Sequence, residues 1–236
     1  MRRSCGGPDV SRPGSGAMFD EIADRYDLVN RIASFGLDRG WRTRTARALA
    51  LVPGNRVLDL ATGTGDLAIA IARREPGATV LGVDPSQRML ALAARKVAAA
   101  RLEERITFVA GVAEDLPFRD GELDAASMAF GIRNVVDRPR ALAEIARVLR
   151  PGARVAILEL GEPRSRLARL HVHSIVPRIG AVASSEGSYR YLSSSIAAFP
   201  PPPEFEAMLT AAGLVPLEVA PLALGAATLF LARARR

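Results

Sequence analysis

The 236-residue sequence predicts an α/β domain built on a mostly parallel sheet. Three observations predict it. Strand and helix patterns alternate from Val57 onward. The strand segments are almost continuously apolar, as a parallel sheet covered on both faces requires. Two last strands, joined through Leu224-Gly225, read as a hairpin that adds an antiparallel edge.

The elements follow in order. Residues Met1 to Ala17 are rich in Gly, Pro, Ser and Arg and carry no apolar periodicity, so disorder is expected there. A single domain is expected over 18–236. Its first part, 18–50, reads as a helical lid. Phe19, Ile22, Ala23, Tyr26, Val29 and Asn30 recur at helical spacing, Ser34-Phe35-Gly36 interrupts them, and Asp38 is placed to cap a second helix carrying Trp41. The core, 51–160, begins after the Pro53-Gly54 turn. Strands are expected at Val57–Leu60, Thr79–Val83, Ile106–Ala110, Leu123–Ala129 and Arg154–Leu160. Helices are expected at Asp66–Arg74, Ser86–Arg101 and Pro139–Leu149, the last started by Asp137 and stopped by Pro151-Gly152. The remainder, 161–236, reads as a substrate-side insertion and a terminal hairpin. Pro163 to Val182 is amphipathic and Ser184 to Pro203 is polar, aromatic and Pro-rich. Glu204–Ala212 is a helix ended by Gly213, and Val215–Val219 and Ala227–Ala232 are the hairpin.

Bulk properties narrow the function classes. The formal charge of +7 comes from 32 basic residues, of which Lys96 is the only lysine. So strong a bias toward Arg follows codon composition more readily than a partner, and nucleic acid is not expected as one. The single cysteine, Cys5, excludes an intramolecular disulfide and a Cys-based metal cluster. His171 and His173 lack a third ligand, so no metal site is expected. No apolar run suits a signal peptide or a bilayer span, which points to the cytoplasm.

The stretch Asp59-Leu60-Ala61-Thr62-Gly63-Thr64-Gly65-Asp66 reads as a strand end, a tight Gly loop and a helix start. Gly63-x-Gly65-x-x-Ala68 matches the dinucleotide fingerprint, and Asp84 follows at the end of the next strand. Two cofactors are therefore open, a dinucleotide and S-adenosyl-L-methionine. Asp59 immediately before the loop suits the cationic amino end of a methionine moiety and would repel a pyrophosphate. Asp66 on the first helical turn competes with a bound anion for the helix dipole. The terminal hairpin resembles the seven-stranded sheet of class I methyltransferases. These features favour S-adenosyl-L-methionine. Thr62, Gly63, Thr64 and Gly65 then form the loop, Asp84 is expected to take the ribose hydroxyls, and backbone groups at Val112 and Ala113 are expected to read the adenine edge.

The resemblance goes further. The Asp59–Asp66 segment, Phe130-Gly131-Ile132-Arg133-Asn134-Val135, Tyr26-Asp27-Leu28-Val29-Asn30, Ser34-Phe35-Gly36-Leu37-Asp38-Arg39-x-Trp41 and Tyr189-Arg190-Tyr191-Leu192 with Phe199-Pro200 closely resemble motifs of the menaquinone/ubiquinone biosynthesis C-methyltransferase family. The resemblance runs from about Met18 to the C-terminus. It implies a class I, Rossmann-like fold and methyl transfer from S-adenosyl-L-methionine to a ring carbon of a polyprenyl quinol, with demethylmenaquinol the first expectation. Benzoquinol methylation in ubiquinone biosynthesis, or another small lipophilic acceptor, is the alternative. Val112 stands where members often carry Asp or Asn, and Ala129, a cofactor contact, where some carry Ser. The stretch Leu170-His171-Val172-His173-Ser174 is less aromatic than is usual for the family.

Carbon methylation needs an oriented quinol hydroxyl and a route for its proton. Arg133 is expected to stabilise developing phenolate charge and Asn134 to position a hydroxyl or water. Pairing of Arg133 with a carboxylate such as Asp137 is the purely structural alternative. Tyr26 is expected beside these two as a catalytic group, with Asn30, Tyr189 and Tyr191 on the substrate. A membrane-borne substrate suggests peripheral docking through Arg-rich surface and the stretch 167–182. A homodimer is left open.

Overall fold

The computed structural model describes residues 36–161 and 194–235, together with Asp20, Arg31 and Ser34. Elements occur in the order α1 (Asp38–Ala48), β1 (Arg56–Leu60), α2 (Asp66–Arg74), β2 (Thr79–Asp84), α3 (Gln87–Ala99), β3 (Ile106–Ala110), β4 (Leu123–Ala129), α4 (Arg138–Val148), β5 (Leu149–Leu160), α5 (Pro202–Ala211), β6 (Leu214–Leu222) and β7 (Ala227–Ala234). They form a seven-stranded sheet in the order β3-β2-β1-β4-β5-β7-β6. Only β7 runs against its neighbours, pairing antiparallel with both β5 and β6. The sheet is therefore the expected one, with β7 inserted between β5 and the outermost strand.

The strand order reverses at β1, where β2 and β4 lie on opposite sides. Ligands of open α/β sheets bind at such a point, beyond the carboxyl ends of the strands. Period-two alternation assigns side chains to the two faces. Val57 of β1 and Ala156 and Leu158 of β5 join one core with Trp41, Ala46, Leu67 and Ile71. Leu58 and Leu60 of β1 and Val155 and Ile157 of β5 join the other, with Leu142, Ile145, Phe205 and Phe230. By the same alternation Asp59 belongs to the α1–α2 face and Glu159 to the α4–α5 face.

Local chemistry explains the boundaries. Ser86 caps α3 by accepting from the Met89 N–H at 3.0 Å, and Asp137 caps α4 by accepting from Arg140 N–H at 3.0 Å. Asp38 does not cap α1. It is the first helical residue, and its carboxylate accepts from Ser34 Oγ at 3.1 Å and pairs with Arg42. The helix α4 ends at Val148, before Pro151-Gly152, and β5 begins at once at Leu149. Pro151-Gly152 is an irregularity inside β5, where the register against β4 shifts between Leu123 and Ala125, rather than a turn before it. β6 runs through Pro216 and Pro221, longer than the expected strand; an outermost strand tolerates missing N–H donors.

Among the described residues no helix is long and apolar enough to cross a membrane, and none of their His, Cys, Asp and Glu side chains group in threes around a metal position. The expected tail 1–17 and the amphipathic stretch 163–182 lie outside the described residues.

Candidate active site

The chain leaves β1 through Ala61, whose backbone is left-handed (φ 51°), and turns over Thr62-Gly63-Thr64-Gly65 into α2. Gly65 is the N-cap of α2 with φ 81°, and a Cβ there would lie 3.2 Å from the Ala93 Cβ. Both conditions select glycine. Above this loop lies a pocket lined by Asp59, Thr62, Gly63, Thr64 and Ala129, five of the residues expected from sequence, and by Arg42 and Asp66.

Asp59 is buried at the end of β1. Its carboxylate accepts from Thr62 Oγ1 at 2.6 Å and from Ser127 Oγ at 2.8 Å. Its direct partners are therefore neutral groups, these two hydroxyls and the Ala68 backbone N–H. Burial pushes its pKa up to about 6, against the two hydroxyls, the more distant Arg42 and the Ala68 N–H, which pull it down. A carboxylate so placed gains from any ligand cation entering the pocket.

Asp84, at the end of β2, accepts from the Gly63 N–H and the Ser86 N–H, each at 2.9 Å. Burial raises its pKa as well; the two backbone donors lower it and Asp20 raises it. Each oxygen keeps a lone pair for a further donor, as a diol requires. Asp20 itself accepts from Ser86 Oγ and, at 3.3 Å, from the Arg88 N–H, which places it at the start of α3 beside Asp84.

The first turn of α2 is unsuited to a phosphate. Asp66 occupies it and pairs with Lys96, which also donates to Thr64 Oγ1 at 3.0 Å. The pocket thus fits a ligand with a cationic end and a diol, as S-adenosyl-L-methionine has, and not a pyrophosphate. Val112 and Ala113 lie in the loop after β3, Val112 partly exposed and Ala113 buried. That loop is tied to α4: Glu144 accepts from the Leu116 N–H at 2.8 Å, and Arg147 donates to the carbonyls of Phe118 and Leu116 at 2.8 and 3.0 Å.

Beyond Ala129, Phe130 is left-handed (φ 60°), and Ile132–Asn134 forms a 3-10 turn. Arg133 is buried. Its guanidinium donates to Glu159 Oε1 at 2.7 Å and to the Phe130 carbonyl at 2.5 Å, while its N–H donates to Glu159 Oε2 at 3.1 Å. The carboxylate partner is therefore Glu159, across the sheet edge at the end of β5. Asp137 is engaged as the α4 cap. Asn134 Nδ2 lies 3.4 Å from the Phe130 carbonyl. Neither Arg133 nor Asn134 lines the pocket above the Gly loop; Phe130 is what joins them to it. Its ring packs against Trp41 (centroids 6.3 Å apart) and lies 5.5 Å beneath the Arg42 guanidinium. Gly131 closes the junction, since a Cβ there would lie 2.5 Å from the Ala61 Cβ.

Sequence reasoning missed Arg42 and Glu159. Arg42 carries a faint signal, because Asp38, Trp41, Arg42, Thr45 and Ala46 are one buried helical stripe of α1. Tyr26, Asn30, Tyr189 and Tyr191 lie outside the described residues.

Comparison with known proteins places this geometry. The chain is 46% identical to a demethylmenaquinone methyltransferase of Thermus thermophilus over 83% of its own length and 90% of that protein. It is 45% identical to a ubiquinone/menaquinone biosynthesis C-methyltransferase UbiE of Geobacter sulfurreducens, over 83% of this chain and 78% of that one. Among solved structures it is similar to the methyltransferase of Haloferax volcanii in complex with its Trm112 activator. There the TM-score is 0.68 at 21% identity, covering 92% and 98% of the two chains. It is also similar to a SAM-dependent methyltransferase from Thermotoga maritima (TM-score 0.64, 22% identity, 93% and 99% covered). The fold is that of the class I methyltransferases. The model of the ubiE/COQ5 methyltransferase family matches residues 11–233, and with these relatives and a pocket built for a sulfonium cofactor the chain belongs to that family, as a methyltransferase.

Proposed function

We propose that the chain transfers a methyl group from S-adenosyl-L-methionine to a ring carbon of a polyprenyl quinol, with demethylmenaquinol as substrate and menaquinol as product. The observation that carries the reading is the junction at Phe130. It joins a pocket seeking a cation, around Asp59, to a buried Arg133–Glu159 pair at the neighbouring strand ends. Relatives named as demethylmenaquinone methyltransferases support the choice of quinol.

When bound, the cofactor supplies a methyl group activated by its sulfonium. The residues of the chain do the rest. Asp59 holds the amino end, Thr62 to Gly65 pass beneath it, Asp84 accepts from the ribose hydroxyls, and backbone at Val112 and Ala113 meets the adenine, with Ala129 closing the pocket wall. On the acceptor side Arg133 is too basic to act as an ordinary base. Its charge is already balanced by Glu159, so it serves as one end of a fixed dipole that steadies charge growing on the quinol oxygen without a net buried charge. Asn134 orients that hydroxyl or a relaying water. Tyr26 and Asn30 from the lid, and Tyr189 and Tyr191 from the insertion, complete the acceptor side in this reading. A polyprenyl acceptor resides in lipid, so the chain works at the inner face of the membrane by peripheral contact, with no nucleic acid involved.

The test is incubation of the purified protein with methyl-labelled S-adenosyl-L-methionine and reduced demethylmenaquinone. Label in the naphthoquinone is expected; label only in another acceptor overturns the reading. Relatives named for both quinones support a second reading, methylation of a polyprenyl benzoquinol, and a parallel incubation with that quinol decides between them. Salt-sensitive sedimentation with anionic vesicles checks the membrane contact.

A further inference from the structure

The charges around the pocket are unequal in their assignments. Asp59 has a ligand group to meet, the amino end, and Asp66 has Lys96. Arg42 is the one cation among the described pocket-lining residues, and the reading above gives it nothing to do. We propose that Arg42 recognises the α-carboxylate of the cofactor's methionyl end, so that the pocket selects a zwitterion rather than a cation. This rests on the S-adenosyl-L-methionine reading of the site.

Four features of the structure point the same way. First, Arg42 is only 8% exposed, although a helical arginine ordinarily carries its guanidinium out to water. Here α1 turns it inward, on the same stripe as Trp41 and Thr45. Second, its known partners leave donors to spare. A guanidinium has five N–H groups. Asp38 takes a bond at Nη1, and Asp66 lies at 4.0 Å, outside hydrogen-bond distance. Third, the head is held in place through the Nη1 group alone, which leaves the other N–H groups unspent. The Phe130 ring lies under it at 5.5 Å and the Asp38 carboxylate fixes it from one turn earlier. A planar fork fixed in this way is prepared for a carboxylate, which it can grip through two parallel bonds. Fourth, its field reaches Asp59 across the pocket and favours the ionised form there. A methionyl end carries ammonium and carboxylate on one carbon. Asp59 and Arg42, both lining the pocket, offer the opposite charges to the two groups.

Decarboxylated S-adenosylmethionine separates this from a purely structural role, because it lacks only the carboxylate. Calorimetric titration of the wild-type protein with both compounds is expected to show the intact cofactor bound tighter by about 30-fold, the range of a charge-assisted pair. In Arg42→Gln the intact cofactor weakens by a similar factor while the decarboxylated compound changes by less than about 3-fold, and Arg42→Lys recovers part of the difference. Equal wild-type affinities for the two compounds overturn the proposal even if the variants fail to fold. Equal weakening of both compounds in Arg42→Gln, in a protein whose thermal melt is unchanged, overturns it too. Failure of the wild type to bind either compound overturns the cofactor reading itself, and the proposal with it.

Discussion

Asp59 and Glu159 are both buried carboxylates at carboxyl ends of strands in one sheet, with β4 between them, yet they are held in opposite ways. Asp59 is held by two hydroxyls and the Ala68 N–H, all neutral, and burial lifts its pKa to about 6. Glu159 is held by the Arg133 guanidinium, the Arg133 N–H and the Leu160 N–H. The first region stores an unbalanced charge that a ligand cation can balance. The second is balanced within the chain, so it can orient polar groups without waiting for a ligand. In the proposed function the same contrast separates binding from chemistry.

Removing the two carboxylates should therefore act with opposite sign on the fold. Glu159→Ala leaves the Arg133 charge buried without its counter-ion, and a loss of about 3–5 kcal/mol in urea denaturation is expected. Asp59→Asn removes a charge whose burial is unfavourable. It should stabilise the protein at pH 8 by about 1–3 kcal/mol while weakening the cofactor about 100-fold by calorimetry. Two losses of equal sign and size would break the comparison.

The pH dependence sharpens it. A folded pKa raised to about 6 means that the folded state binds the Asp59 proton more tightly than the unfolded chain does. Asp59 is thus neutral in its effect below about pH 4. Its cost grows as pH rises through about 6 and levels off above, at about 3 kcal/mol. The stability advantage of Asp59→Asn should accordingly shrink between pH 7 and pH 4. Cofactor affinity of the wild type should fall on acidification below about pH 6, as protonation removes the charge that holds the amino end. A flat difference across that range would show that Asp59 titrates normally.

How much of this was readable in advance follows from the reach of each contact. Asp59, Thr62 and Gly63 to Gly65 belong to one continuous segment whose strand end, turn and helix start are local, so the loop and its pocket were legible. Asp84 was legible because a strand end next to β1 must lie beside that loop. Arg42 was not, since on α1 it looks like any solvated helical arginine until the helix packs against the end of β4. Glu159 was not either: it follows Ile157-Leu158 as a polar position one residue before the strand's end, and its pairing with Arg133 spans 26 residues. The nearer Asp137 competed for that role and is spent on the α4 cap. Pro151-Gly152 read as a stop because the dipeptide marks turns, yet sheet register absorbed it as a bulge.

If Phe130-Gly131 is the junction between the two regions, one substitution there should disturb both. Gly131→Ala drives a methyl group toward the Ala61 Cβ, 2.5 Å away, and toward the Met128 side chain. Overpacking of this kind costs about 1–3 kcal/mol. Cofactor affinity and turnover should fall together, because Ala61 begins the Gly loop and Phe130 holds Arg133 and Asn134. The double variant with Ala61→Gly removes the obstructing methyl and suits the left-handed backbone at 61, so it should restore both. Restoration of stability with only one function recovered would mean that the two regions are not joined here.

The smallest effect is expected at Lys96, and it tests whether the cofactor side owes its order to surface charge. Lys96 pairs with Asp66 and donates to Thr64 at 3.0 Å, but both charged side chains are about a third exposed, at 32% and 34%. Water and salt screen such a pair, so Lys96→Gln should cost less than about 1 kcal/mol, a shift of about 2–4 °C at most in the thermal midpoint. Glutamine keeps a donor for Thr64 and leaves Asp66 solvated on the first turn of α2, where the helix dipole favours it. Cofactor affinity should therefore stay within about 3-fold of wild type, less than half a decade and under 1 kcal/mol. A tenfold loss would mean that the Gly loop is held in shape from α3, and that the charge left unbalanced at Asp59 is only part of what prepares this region for its ligand.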